Sequence, residues 1–465
     1  MRTPLIVAWL AMLLSGCASL IPPPEPTQPL DVVNPKYGYR FSNLQPGPDN
    51  SDGLFMVVAF SGGGTRSAAL AYGVLDKLRT TPIHWDGKPR RLLDEIDVIN
   101  SVSGGSYAAA YYGLYGDAFF TEFPRRFLNA DFQTELWDRY VSVTGMTQVM
   151  GWSTNDRVDL LSAILERRLF AKKTFADLLA RQTRPLVVIH ATDLNRGSDF
   201  QFTQDQFDPL CTDLSSLPLA RAVAASSAVP ILFGPVVLKN YGGRCGYKSP
   251  SWIQPSLHGS KDLSWTLRAQ RHAAVMHSYQ DSSPETGRPW IHLIDGGISD
   301  NLGLRGPLES SIARGGFAPL LKRMGVRGVR KVVFLVVSAE VLPESGIDLS
   351  GEPPSIREMA NRVLDTLMSN ISFETQTWLR SSFHYWRQEA KELVDNPDSP
   401  YEGTPDFYLI ETSLRDIADP VERKTMMEMP TTFKLAPEQV ESLEQAGRTL
   451  LENAPEFKRL VRDLQ

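Results

Sequence analysis

Three stretches hold residues whose type and spacing suit acid–base or nucleophilic chemistry. The first, Ser61-Gly62-Gly63-Gly64-Thr65-Arg66, directly follows the apolar run Phe55 to Phe60 and opens a helical pattern in which Ala68, Ala71, Leu75 and Leu78 share a face. Three successive glycines bare their backbone N–H groups, and a helix N-terminus adds partial positive charge, so this loop can cradle an anion. A nucleotide loop is the weaker reading, because the Lys-Ser/Thr ending of a P-loop is missing and Ser67 stands where a dinucleotide fingerprint has its third glycine. The second stretch, Ile99-Asn100-Ser101-Val102-Ser103-Gly104-Gly105-Ser106, runs from an apolar strand into a helical pattern. A nucleophile elbow needs small residues two before and two after its serine, and Ser101 and Gly105 fill those places around Ser103. Ser101 replaces the usual glycine, and the run also reads as an ordinary flexible turn. The third, Leu293-Ile294-Asp295-Gly296-Gly297-Ile298-Ser299-Asp300-Asn301, puts a carboxylate at the end of another apolar run, where α/β sheets display catalytic groups; an Asp-Gly turn is the plain alternative.

Short continuous apolar runs at Phe55 to Phe60, Ile96 to Ile99, Leu186 to Ile189, Ile291 to Ile294 and Val332 to Val337 read as strands covered on both faces. Helical patterns lie between them, which argues for a mostly parallel α/β sheet. Residues 234–288 turn to Gly, Pro, Ser, Trp and His around one helix from Leu263 to Met276, and read as an insertion. Beyond 345 the chain is mainly helical, with one strand near Phe407 to Ile410. Ser355 and Glu358 form a capping box before Ile356, Met359, Val363, Leu367 and Ile371, a helical stripe expected to pack on the core. Trp378, Phe383, Tyr385 and Trp386 read as core rather than as a membrane-docking patch.

In this order the three chemical stretches resemble the patatin-like phospholipase family: a Gly-rich oxyanion loop with a following Arg, a serine elbow, and an Asp-Gly-Gly carrying the base of a Ser-Asp dyad. Ala191-Thr192-Asp193-Leu194-Asn195-Arg196-Gly197 and Ala224-Ala225-Ser226-Ser227-Ala228-Val229-Pro230 fit the same resemblance, which covers residues 54 to 340. It implies a three-layer α/β fold with a mostly parallel central sheet, here with a helical C-terminal region. It also implies that Ser103 attacks an ester carbonyl, that Asp295 takes and returns the proton, and that N–H groups of Gly62, Gly63, Gly64 and Gly104 receive the oxyanion. Arg66 would steady the loop or meet a lipid phosphate, a solvated or carboxylate-paired Arg being the plain alternative. Glycerophospholipids or lysophospholipids are the implied substrates, with no metal and no cofactor. Two rivals stand: a Ser-His-Asp esterase and a lipoprotein that binds lipid or a partner without turnover. Among seven histidines, His190 and His292 fall in strands and are expected to be buried; His292, three residues before Asp295, points to the opposite face.

The N-terminus predicts an address. A basic start at Arg2 and an apolar stretch from Leu5 to Leu14, too short to span a bilayer, form a signal-peptide pattern over residues 1–16. Leu14-Ser15-Gly16-Cys17 resembles a bacterial lipobox, with Cys17 as the lipidated residue and Ala18 in place of the inner-membrane Asp signal, which favours the outer membrane. Residues 17–50, beginning with a proline-rich run, read as a tether to a catalytic core at 51–345 and a helical region at 346–465. Membrane lipids are then both anchor and substrate. Cys211 and Cys245 remain, free to pair in an oxidising compartment or to stand as two single thiols, and no zinc spacing exists. A net charge of −5 without a Lys/Arg run argues against nucleic-acid binding.

Overall fold

In the computed structural model, described over residues 27–141, 155–250, 263–341, 346–349 and 351–465, the apolar runs pair into one eight-stranded sheet. Its strands in chain order are β1 (Leu54–Phe60), β2 (Ile96–Val102), β3 (Leu186–Asp193), β4 (Ser198–Gln201), β5 (Val236–Lys239), β6 (Trp290–Asp295), β7 (Val329–Ser338) and β8 (Tyr401–Ser413). Followed through hydrogen-bonded neighbours, the strands run β8-β7-β1-β2-β3-β6-β5, with β4 also on β3. The contacts from β8 through β3 are parallel, while β4, β6 and β5 join antiparallel, so the sheet is mixed and mostly parallel. Every residue of β1, β2 and β3 is buried, as continuous hydrophobicity requires.

Helices form the outer layers. Against one face lie α1 (Gly64–Arg79) and α2 (Gly104–Tyr115), where the absent Cβ of Gly113 lets α2 press on Val187. A late helix, α8 (Pro437–Asn453), packs on α1 from outside. The opposite face, presenting Phe55, Val57, Val98, Val188 and Phe334, looks toward α5 (Arg305–Ala313), α6 (Phe317–Met324) and α7 (Ile356–Glu392). Between α2 and α5 the chain also forms α3 (Leu219–Ser226) and α4 (Leu263–Ser278).

Three expectations change. Residues 27–50 are not a tether: Gln28–Pro29 pairs with Thr212–Asp213, and Tyr39, Phe41 and Leu44 enter the core. The Tyr39 hydroxyl accepts from the Val187 N–H, and Arg40 is ion-paired with Asp205 and Asp208, so burial of that segment satisfies its polar groups. The 234–288 stretch begins as edge strand β5, and its ends are tied by Asn240, whose amide donates to the carbonyls of Tyr279 and Arg288. The first half of α7, capped by Ser355 and Glu358 as expected, leaves Ile356 (85% exposed), Met359, Val363 and Leu367 in solvent. Burial of that helix begins only near Ser372 and continues through Trp378, Phe383 and Trp386, whereas Tyr385 is exposed. His292 is exposed, on the outward side of the alternating first half of β6. Residues 1–16, Cys17 and the proline run through 26 lie outside the described residues, as does 251–262.

Candidate active site

Strand register brings Ser103 and Asp295 together. Val102 at the end of β2 lies opposite His190, and Asp295 at the end of β6 lies opposite the next residue, Ala191. β4 pairs with both His190 and Ala191, so it occupies one whole edge of β3 there. β2 and β6 must therefore share the other edge, running toward each other and ending one residue apart. Ser103, the residue after β2, and Asp295, the last residue of β6, thus come to one point of the sheet.

Ser103 takes φ 47° and ψ −117°, the strained conformation of a residue forced to turn between strand and helix, and is 7% exposed. Its N–H donates to Ser226 Oγ at 2.8 Å. Ser226 in turn donates to the His190 carbonyl at 2.6 Å and lies 3.0 Å from Ser106 Oγ. The buried Ser226 hydroxyl thereby pins the strained turn to β3. Only glycine fits at 104, because a Cβ there would come within 2.1 Å of the Gly64 carbonyl oxygen and 2.5 Å of its nitrogen. That close approach presses the Gly-rich loop onto the start of α2.

Within the loop, Gly63 has φ 138° and Gly64 φ 59°. The Gly62 N–H donates to both the side-chain and main-chain oxygens of Asn301, at 3.1 and 3.2 Å. Gly62 is thus removed from the expected oxyanion set, since its donor is already used; Gly63, Gly64 and Gly104 remain of that set. Arg66 is buried, not solvated: Nε donates to the Ala339 carbonyl at 2.9 Å, Nη1 to the Met429 carbonyl at 2.5 Å and Nη2 to Thr431 Oγ1 at 3.2 Å. Burial pushes its pKa down to about 10, against the pull of Asp365, and it remains a cation that steadies the loop instead of meeting a phosphate. The Thr65 N–H donates to the Thr432 carbonyl at 2.9 Å. Residues 429–432, outside every chemical motif in the sequence, therefore hold the loop in place.

Asp295 is 1% exposed. Its Oδ1 accepts from the Gly297 N–H at 2.8 Å, while Oδ2 is buried without a hydrogen bond of good geometry. Burial raises its pKa to about 6, opposed by the Gly297 N–H and by the nearby Ser103 hydroxyl. Ser103 and Asp295 are thus in contact but short of an aligned bond, a common state for catalytic pairs without substrate. His190 does not join them. Its Nδ1 lies 2.8 Å from Asp199 Oδ1 and its Nε2 3.0 Å from Asn100 Oδ1. Burial works to lower the His190 pKa, but Asp199 and Asp300 outweigh it and raise it. Ligating atoms of His190, Asp199 and Asp300 fall within 4.8 Å of one another. Asp300 already accepts the N–H groups of Leu302 and Arg305, so this is a satisfied buried charge network more than a vacant metal cage.

A family model described as patatin-like phospholipase matches residues 58–308, more than half of the chain. The chain belongs to the patatin-like phospholipase family. Members of that family are serine hydrolases, and membership supports lipid hydrolase activity. This family member matches no curated protein in sequence. Among solved structures, human GIVD cytosolic phospholipase A2 is similar at 14% identity, covering 89% of this chain and 60% of the human one, with a TM-score of 0.44. VipD from Legionella pneumophila is similar at 12% identity over 89% of this chain and 67% of its own, with a TM-score of 0.33. The family member thus spans about 60% of the human enzyme's length.

Proposed function

We propose that the chain hydrolyses lipid acyl esters, as a phospholipase A or lysophospholipase, through a Ser103–Asp295 dyad. The observation that carries the reading is the end-on meeting of β2 and β6, which sets a strained serine beside a buried carboxylate whose Oδ2 has no other partner. Ser103 Oγ attacks the ester carbonyl as its proton passes to Asp295, and the oxyanion draws on the N–H groups of Gly63, Gly64 and Gly104. Each such donor is worth about 3 kcal/mol in related chemistry. Collapse expels the alcohol, which takes the proton back from Asp295; water then cleaves the acyl-enzyme by the same steps. The Ser-His-Asp alternative loses support because both ring nitrogens of His190 are engaged and His292 is exposed. For location, the lipobox pattern supports attachment of the enzyme to the bacterial envelope through Cys17, with the outer membrane favoured by Ala18.

A fluorophosphonate probe is expected to label Ser103 in the full chain and to leave Ser103→Ala unlabelled, with phospholipids or lysophospholipids turned over ahead of short-chain esters. An unlabelled Ser103 in folded protein would instead favour a lipid-binding lipoprotein without turnover. Fractionation of cells making Cys17→Ser is expected to show the protein leaving the membrane; retention there would refute the anchor.

A further inference from the structure

Three buried oxygens at the dyad share one property: Asp295 Oδ2, Ser227 Oγ and the Tyr107 hydroxyl each lack a hydrogen bond of good geometry. All three side chains are sealed from solvent, Tyr107 completely. Tyr107 stands on the first turn of α2, four residues beyond Ser103. Helical side chains lean toward the N-terminus, so its ring points back at the strained turn. Phe127 stacks on that ring with centroids 4.6 Å apart, and Phe433 meets it edge to face at 6.3 Å. Neither offers the hydroxyl a partner. Ser227 is fixed from the other side, between Ser226, whose Oγ accepts from the Ser103 N–H at 2.8 Å, and Ala228, whose carbonyl accepts from the Asp295 N–H at 3.0 Å. Burial raises the Tyr107 pKa, the adjacent Ser227 hydroxyl opposing and the Asp295 carboxylate adding to the rise, so the phenol stays neutral. Buried polar groups are normally paired, and a bound water takes about two to four such partners.

We propose that Tyr107 and Ser227 hold, beside Asp295, the water that hydrolyses the acyl-enzyme, a role that rests on the Ser103–Asp295 dyad proposed above. Once the alcohol has left, the water directs one hydrogen to Asp295 Oδ2 and the other to the Tyr107–Ser227 hydroxyl pair, which leaves a lone pair for the acyl carbon. Its oxygen bonds to that carbon as the proton passes to Asp295. Collapse breaks the bond to Ser103 Oγ, which takes the proton back, and the fatty acid departs. A neutral phenol neither competes with Asp295 as base nor attacks the ester. Acylation moves the Ser103 proton and not this water, so the two hydroxyls act on one half of the reaction only.

The test compares the full chain with Tyr107→Phe and Ser227→Ala on a p-nitrophenyl acyl ester in stopped flow, the Ser103 peptide being followed by mass spectrometry. Each variant is expected to release its first nitrophenol at the parental rate and then to turn over about tenfold more slowly, the size of one lost hydrogen bond. Acyl-Ser103 should accumulate, and kcat and KM should fall by the same factor so that kcat/KM holds. Fluorophosphonate labelling, which needs no water, should keep its parental rate, and circular dichroism its parental spectrum. Either variant suffices where the other fails to fold. A merely structural role would slow labelling, acylation and deacylation together. That pattern, or parental steady-state rates with no acyl-enzyme, would overturn the role of the two hydroxyls; a parent chain showing neither labelling nor a burst would overturn the dyad and this role with it.

Discussion

Asp295 occupies a position where a charge is unfavourable for the fold and useful for the reaction. Its pKa rises from 3.8 to about 6 through burial, so the folded state holds a proton more tightly than the unfolded one. The associated stability is fully present below the unfolded value and is lost as pH rises through about 6, a change of about 3 kcal/mol. Asp295→Asn is therefore expected to abolish turnover while unfolding at higher denaturant than the parent at pH 8, the two converging near pH 4. A variant less stable than the parent at pH 8 would contradict this. In the parent, kcat/KM is expected to climb as Asp295 ionises, with an apparent pKa near 6, and to level off above it. Ser226 carries a different burden, holding the N–H of Ser103 without facing substrate. Ser226→Ala should cost about 1 kcal/mol of stability and lower kcat with little change in KM; an unchanged kcat would remove its positioning role. Ser103 and Asp295 were readable as residues because each ends an apolar run beside glycines. Ser226 and Asn301 lay within stretches picked out in the sequence but without a role, since a serine in a small-residue run and an asparagine after a turn carry no local signal of the bonds they make.

At the scale of elements, strands were legible and their neighbours were not. Hydrophobic runs located β1, β2, β3, β6 and β7 within a few residues, because burial on both faces leaves a continuous apolar signature. The antiparallel arrival of β6, which makes the dyad possible, depends on pairing across more than a hundred residues. Helix partnership was equally hidden. Gly73 on α1 and Gly447 on α8 let the two helices touch backbone to backbone: an added Cβ would meet the Glu444 carbonyl at 2.0 Å and the Leu70 carbonyl at 2.5 Å, respectively. Gly447→Leu is expected to push α8 outward, costing about 1–3 kcal/mol by overpacking. Since residues 429–432 precede α8 and hold the Gly-rich loop, activity should fall further than the loss of folded protein explains. Thermal unfolding and specific activity per folded molecule measure the two effects, and a variant with parental values for both would refute the coupling. The stripe on α7 shows the converse: its periodicity was real, but whether a neighbour covers it was not written in the stripe.

For the whole molecule, the disulfide between Cys211 and Cys245 closes a separation of 34 residues and ties the start of the 234–288 stretch to the core. In the chain-entropy description such a loop contributes about 3–4 kcal/mol. The double variant Cys211→Ala/Cys245→Ala should lose stability of that order in denaturant titration, and reducing agent should lower the parent alone; a difference below about 0.5 kcal/mol would count against a structural role. Among the described residues no helix is long and apolar enough to cross a membrane. The sequence by itself determined the chemical vocabulary of this protein: a glycine loop, a serine elbow, an Asp-Gly-Gly, and the apolar runs that carry them, because these depend on residue type and short spacing. Tertiary structure alone decided which donors stay free, with Gly62 given to Asn301 and Arg66 to the C-terminal segment. It also decided which carboxylate loses its water and which edge of β3 receives β6. Those outcomes are set by contacts between residues far apart in the chain, where burial and hydrogen-bond competition act and local spacing carries no information.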